Sequence, residues 1–312
     1  MGHRLRIASA LISTACLLTA CSGEPAVDSD FAAATETWRA EREARLTAPY
    51  SWLSLAGLHQ LAEGESRAGS DPEADLPLPG GPAEWGVLAF DGDTVQFTTA
   101  DAEAVTVDGE AVGTTTLTWR SGEDATIVAA DGIRLELIDR GGRPFVRVRD
   151  PDAPSRRDFV GLTWFEPDPS WAIDATFEAH PEGHTLRIAD VTGSVAEQPN
   201  PGAVTFRRDG EVQRLQAVQS SPEARMWFIF SDGTSGRETY GLGRFLYFDP
   251  PENGRVHLNF NEAFNPPCAF NPHTTCPLPP PANRLTLRVD AGEKAYTGPV
   301  GLAPESVTRR EP

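Results

Sequence analysis

The chain has 312 residues, 39% hydrophobic and 23% charged, a composition ordinary for a globular protein and long enough to bury a sizeable core as one large or two modest domains. The formal net charge is -18, and counterion release from a nucleic-acid backbone needs clustered Lys and Arg, so nucleic acid is excluded as the partner. The acidic excess is scattered, which fits a solvated acidic surface or a salty habitat and not an acidic tail.

The chain opens on a secretory signal. Arg4 and Arg6 form a short basic region, residues 7–18 are apolar with small side chains, and Leu18-Thr19-Ala20-Cys21 follows. The apolar run is too short to span a bilayer. The last four residues resemble the bacterial lipobox L-[TS]-[AG]-C, which implies cleavage before Cys21 and lipidation of its thiol. Acyl chains contribute about 0.8 kcal/mol per buried CH2, so several of them anchor firmly. Ser22 stands where an Asp would signal retention at the inner membrane. The expectation is a cell-envelope protein, held in the outer membrane by lipid and facing the periplasm. Nothing later in the chain is long and apolar enough to cross a bilayer.

Residues 1–20 are therefore read as the signal, and 21–49 as a lipidated tether and a helix. Residues 22–28 are small, polar and acidic, as a tether is. Asp30 is placed to cap a helix running to about Leu46, with Phe31, Trp38, Arg42 and Leu46 near one face and Pro49 as its stop. Residues 50–58 form a strand or a turn of helix on the core, with His59 beside Leu58 and Leu61 as a structural histidine. A Gly/Pro/Asp-rich loop covers 66–82.

From Trp85 the rhythm is one of short strands, at 85–90, 94–98, 104–107, 115–119, 126–129, 133–138 and 144–148. Asp91-Gly92, Asp108-Gly109, Asp131-Gly132 and Gly141-Gly142 supply the positive φ of tight hairpins. Leu135, Leu137, Val146 and Val148 alternate with polar residues, as half-buried strands require. The spacing suits a sandwich or small barrel. It also resembles forkhead-associated sandwiches, though no phosphopeptide-reading Arg/Ser/Asn pattern stands at matching loops, so the likeness concerns the fold alone. Residues 150–158 are a charged, Pro-containing joint. Strands resume at 159–165, 171–178, 185–189, 204–207, 212–218, 226–230, 245–248, 256–260 and 285–289. The fold class is mostly β: antiparallel β-sandwich or barrel-like lobes at 50–158 and 159–298 with one N-terminal helix, and a disordered tail at 299–312.

Of the four cysteines, Cys16 leaves with the signal and Cys21 takes lipid, leaving Cys268 and Cys276 in an oxidising compartment. A disulfide closing this Pro-rich loop would contribute about 2–3 kcal/mol in the chain-entropy model. The rival is a metal site on Cys268, Cys276 and His273, whose spacing is not that of a zinc knuckle and whose fourth ligand is missing. A nucleophilic cysteine would need a free thiolate and a base.

Strong catalytic signatures are absent: no GxSxG, HExxH, GxxxxGK[ST] or EF-hand loop. Gly241-Leu242-Gly243 lacks the third glycine and the helix of a dinucleotide fingerprint. His180 and His184 are separated by Pro181 and Gly183, which forbid the helix a metal pair would use. Carboxylate pairs for glycoside hydrolysis cannot be picked from 45 acidic residues. No cofactor and no metal are expected.

The richest stretch is 231–294. There Asp232, Tyr240, Arg244, Asn259, Asn261, Asn265 and Arg284 sit among backbone-fixing Gly241, Gly243, Pro266, Pro267 and Pro277. Arg244 lies at the start of the strand 245–248, and Asn259 and Asn261 share one face of theirs because i and i+2 do. One reading makes Arg244 and Arg284 anion clamps and the asparagines orienting amides for a small polar or anionic ligand. The other has these side chains satisfying the backbone of a long irregular loop.

TYGLGRFLYFDPP, NFNEAFNPPCAF, TCPLPPPANRL and AGEK, with YSWLSLAGLHQLAEGESRAGSD near the N-terminus, resemble the bacterial domain-of-unknown-function 1684 family over about residues 38–294. Asn259 departs from the Asp expected of that family, which weakens any acid or metal role there. The resemblance implies a shared architecture and no activity. Two functions follow as expectations: a non-enzymatic binding or structural lipoprotein of the envelope, or a hydrolase using Asp232, Tyr240, Arg244, Asn259, Asn261 and Arg284.

Overall fold

The structure, a computed structural model, describes residues 1–2, 29–120 and 124–300. The signal, Cys21 and the tether lie outside the described residues, as does all but the start of the expected tail. Helix α1 spans Ser29–Thr47 and places Asp30 inside its first turn, where an acidic side chain suits the helix dipole, and not at the cap. The face it buries is Thr35, Arg39, Arg42 and Leu46, with Trp38 packed at its side against Trp164 and Phe264. Trp38 is only half-buried. A short 3-10 turn at Trp52–Ser54, capped by Ser51 Oγ, then hands the chain to the first strand.

Ten strands follow: β1 Leu55–Gln60, β2 Gly64–Gly69, β3 Leu76–Pro77, β4 Gly86–Phe90, β5 Val95–Thr99, β6 Thr106–Val107, β7 Thr114–Leu117, β8 Ile127–Ala130, β9 Ile133–Asp139 and β10 Pro144–Arg149. They form two five-stranded sheets, β1-β10-β9-β8-β6 and β3-β2-β4-β5-β7. All pairings are antiparallel except β2 with the two-residue β3. Leu88 and Phe97 from one sheet meet Leu135, Val146 and Val148 from the other in one core beneath Trp85. Buried side chains of this size contribute about 1.5–3 kcal/mol each. Asp108 and Gly109, like Asp131 and Gly132, both take positive φ, the backbone of a two-residue hairpin turn matched to strand twist.

After a one-turn helix, α2 Pro154–Arg157, the second half contains β11 Ala172–Ala179, β12 Thr185–Ala189, β13 Val195–Pro199, β14 Gly202–Arg208, β15 Glu211–Gln216, β16 Met226–Phe230, β17 Arg244–Phe248 and β18 Arg255–Asn259. One sheet runs β15-β14-β11-β18, and two hairpins, β12-β13 and β16-β17, stand beside it. Its core joins Val204, Phe206 and Leu215 to Phe228, Phe230, Leu246, Phe248 and Phe260. The architecture is mostly β, with antiparallel sheets packed as sandwiches and one long N-terminal helix, as the sequence implies.

Several local expectations fail for physical reasons. Residues 159–165 and 285–289 form no strand; the nearest pairings are isolated bridges, Trp164 with Glu293 and, just before the second segment, Ser231 with Arg284. Their backbone groups are met by scattered single bonds, such as Leu285 to Ser231 and Phe165 to Gly292, instead of by a ladder. The 104–107 strand shrinks to Thr106–Val107 because Ala104 and Val105 belong to a turn begun by Asp101. Strand β13, VAEQP, has no apolar alternation to betray it and is mostly exposed.

Candidate functional site

Arg244 opens β17 but faces inward, one of the largest side chains with no exposure at all. Gly243 makes that entry possible. It holds φ +94, and a Cβ there would lie 2.4 Å from the Phe230 carbonyl oxygen. The guanidinium donates from Nη2 to Asp232 Oδ2 at 2.8 Å and to the Val289 carbonyl at 3.0 Å, and from Nη1 to the Ala291 and Glu293 carbonyls. Asp232 Oδ1 in turn accepts from the Thr234 amide at 2.7 Å and the Thr234 hydroxyl at 2.6 Å. Both members of the pair have 0% side-chain exposure. The pair therefore fastens the ladderless segment 285–293 to the hairpin β16-β17.

A second layer lies beside it. Asn265 donates to the Lys294 carbonyl at 2.7 Å. Glu293 is fully buried, and burial pushes its carboxyl up to about 7, against the opposing pull of Arg42. Arg42 reaches it from α1, Nε to Oε2 at 3.4 Å, with the guanidinium over the Phe264 ring at 4.6 Å and the Trp52 ring at 5.1 Å. Arg39 donates to the Phe165 carbonyl at 2.6 Å. The helix is thus held to the second half by two buried arginines.

Asn259 ends β18, and Asn261 falls in the 3-10 turn Phe260–Glu262 beyond it. The two meet through that turn and not along a strand face. Asn261 Nδ2 donates to Asn259 Oδ1 at 3.0 Å and to the Asp168 carbonyl at 2.9 Å, while its Oδ1 accepts from the Asp168 amide. Tyr240 packs half-buried near Phe270, and burial raises its hydroxyl. Arg284 is exposed and donates to the Pro279 carbonyl at 3.3 Å. The structure brings Asp232 and Arg244 together, and Asn259 and Asn261 together. It does not bring Arg284 or Tyr240 into a common cavity with them. Cys268 and Cys276 form a disulfide, so neither thiolate is available to a metal or as a nucleophile. Among the described residues no group of three or more His, Cys, Asp or Glu is placed to hold a metal ion.

The open polar surface of the second half lies next to this seam. Two adjoining hollows of about 650 and 360 Å3 share Arg225, Tyr247 and Glu262. Glu262 follows Asn259 in the 3-10 turn and accepts from its Nδ2 at 3.0 Å. Burial raises the Glu262 carboxyl, and the Asn259 bond opposes the shift. Tyr247 is 38% exposed, on the face of β17 opposite Arg244, and burial of its inner edge raises its hydroxyl against the pull of Arg225. Arg225 Nε donates to Asp249 Oδ1 at 2.7 Å, and His257 Nδ1 stands 3.0 Å from Asp174 Oδ1. Of the candidates read from sequence only Asn259 lines this basin. Tyr247 was detectable: in RFLYF it is the polar-tipped residue out of phase with Arg244, Leu246 and Phe248. Arg225, Asp174 and His257 carry no local signal, because three separate elements supply them.

A solution NMR structure of an uncharacterized protein of Haloarcula marismortui is 30% identical, over 46% of this chain and 82% of its own, with a TM-score of 0.39. A structure from a study of phosphothreonine-dependent FHA domain interactions is 18% identical, over 30% of this chain and 92% of its own, with a TM-score of 0.21. No curated protein matches the chain. The family model described as "Protein of unknown function (DUF1684)" matches residues 157–294. It is this C-terminal region, with the Asp232–Arg244 seam and most of the basin wall, that matches the DUF1684 family.

Proposed function

We propose that the protein is a lipid-anchored binding protein of the bacterial cell envelope that holds a small polar ligand in the basin around Arg225, Tyr247 and Glu262. The observation that carries the reading is the contrast between the two polar groups of the C-terminal region. Asp232, Arg244, Asn261 and Asn265 spend their hydrogen bonds on the protein itself. The basin's polar groups pair with one another too, but Arg225, Asp249, Asp174 and His257 do so at exposed positions beside the half-open Tyr247, where a ligand can reach them. Asn259 belongs to both groups and serves the ligand by orienting Glu262. Anchoring is supported by the Leu18-Thr19-Ala20-Cys21 pattern after a short apolar run. A hydrolase built on Asp232 and Arg244 has less support, because substrate would have to reach side chains with 0% exposure.

The test is retention of metabolites from an envelope extract by the purified chain, read by mass spectrometry. An Arg225→Ala, Glu262→Ala double variant with an unchanged melting temperature should lose the retained species. Equal retention by this variant would remove the basin from the function.

A further inference from the structure

We infer that the ligand of the basin is a short extended peptide with basic side chains, seated on the free edges of β17 and β18. This rests on the binding reading above and names its ligand class. The first argument is the direction of the backbone. Trp227, the cross-strand partner of Tyr247, exchanges its N–H and C=O bonds with Val218, on the far side of β16. Phe245 exchanges its own with Phe264, on the far side of β17. Antiparallel strands alternate bonded and non-bonded pairs, so Tyr247, two residues after Phe245, also points its N–H and C=O away from β16. On β18 the Gly254 carbonyl accepts from the Phe177 amide of β11 at 2.9 Å. By the same alternation Val256 and Leu258 bond toward β11, and His257 points its N–H and C=O the other way. β17 and β18 form no ladder with each other, and among the described residues nothing meets the backbone groups of Tyr247 or His257. Both residues line the hollow of about 650 Å3, which therefore has free strand edge on two of its walls.

The second argument is what such edges bind. An unpaired N–H needs an acceptor and an unpaired C=O needs a donor. A phosphate answers the first alone and an organic cation the second alone. A peptide backbone supplies both, at the spacing of a strand. The length is bounded at each end. Arg255 exchanges its backbone bonds with Glu252, and Pro250 and Pro251 have no N–H to offer. At the other end Phe245 is already taken by Phe264. The free edge is thus only a few residues long, which suits an oligopeptide.

The third argument is charge. Asp174, Asp249, Glu252 and Glu262 stand on the walls against Arg225 and Arg255. Arg225 is matched by Asp249 at 2.7 Å, and the hydrogen bond to Glu262 comes from the neutral Asn259 amide. His257 beside Asp174 adds a positive charge only when protonated. Four carboxylates against two guanidiniums leave the walls negative, so the side chains they favour are Lys and Arg.

The full chain in detergent is titrated calorimetrically with blocked pentapeptides. One alternates Lys with Val, one alternates Glu with Val, and two further forms of the first are N-methylated at alternate backbone nitrogens. Inorganic phosphate and spermidine are run alongside. The lysine peptide should bind at least about tenfold more tightly than the glutamate peptide. At least one N-methylated form should lose about tenfold or more, since methylation removes backbone donors and keeps the charge. Hydrogen exchange at the Tyr247 and His257 amides should slow by about tenfold or more when the lysine peptide is bound. These readings need no variant of the protein, so they stand whatever a substitution does to folding. Equal binding by the glutamate peptide, by spermidine or by both N-methylated forms overturns the assignment, as does binding without slowed exchange at either amide. If no pentapeptide binds but phosphate, spermidine or an extract component does and is lost in the Arg225→Ala, Glu262→Ala variant, the peptide assignment is overturned and the basin survives. If nothing binds in either experiment, both are overturned.

Discussion

Arg244 satisfies three backbone carbonyls and one carboxylate from a position with no solvent contact. A lysine would keep the charge opposite Asp232 but could not fork to Val289 and Ala291 together. Arg244→Lys should therefore lower the free energy of unfolding by about 1–3 kcal/mol in urea titrations, the range for lost charged hydrogen bonds. Unchanged stability would mean that the seam is not what fastens 285–293. Glu293 gives a pH signature of defined sign. Its carboxyl is raised from 4.5 to about 7 in the folded protein. The folded state thus holds a proton that the unfolded chain has released. This contribution is fully present below about 4.5 and is lost as pH rises through about 7. Relative to wild type, Glu293→Gln should gain stability across that window with a slope of up to about 1.4 kcal/mol per pH unit, and the difference should level off above it. Paired unfolding curves from pH 4 to 9 check this; a flat difference would show that Arg42 keeps Glu293 ionised throughout.

At the scale of elements, β17 does two jobs with one alternation. Arg244, Leu246 and Phe248 point to the core while Phe245 and Tyr247 point to the other face, so the strand carries both the seam and the stacked rings beside the basin. Helix α1 docks through Arg39 and Arg42 as well as through Leu46 and Trp38, so part of its attachment depends on the Phe165 carbonyl and on Glu293. The Pro-rich loop after the Phe260–Glu262 turn is closed by Cys268–Cys276 over a sequence separation of 8. Replacing both cysteines by serine should cost about 2–3 kcal/mol of unfolding free energy. Reductant should shift the wild type toward the variant and leave the variant itself unmoved. Reductant acting equally on both would show that the bridge contributes nothing.

For the whole molecule, no described helix is long and apolar enough to cross a membrane. In the proposed reading the lipid on Cys21 is what fixes the chain at the envelope. Cys21→Ser should move the protein from the membrane fraction to the soluble fraction after a salt wash, as followed by immunoblot. A variant that stays with membranes would remove the lipid anchor from the proposal. The net charge of -18 disfavours the approach of an anionic ligand over longer range.

Local rules were enough for the features that depend on neighbours in sequence. Asp-Gly pairs mark turns because only a few residue types tolerate two successive positive φ values, and Asp108, Asp131 and Asp209 with their glycines adopt them. Alternation marks β9 and β10 because strand side chains change face at every residue. Compartment chemistry pointed to the Cys268–Cys276 bridge. The polar residues of 231–294 were visible too, but not which way they face. Arg244 is inward because a buried Asp232 and three orphan carbonyls from 289–293 await it, and those partners come from 12 to 49 residues away. Residues 285–289 have strand composition yet form no ladder, because they meet the irregular segment 231–233 through two separate backbone bonds, Leu285 to Ser231 and Gly233 to Leu287, and Val289 is met by side chains. The basin, drawn from Asp174, Arg225, Tyr247, His257 and Glu262, exists only once β11, β16, β17 and β18 are assembled, since no short window of sequence holds more than a fraction of its walls.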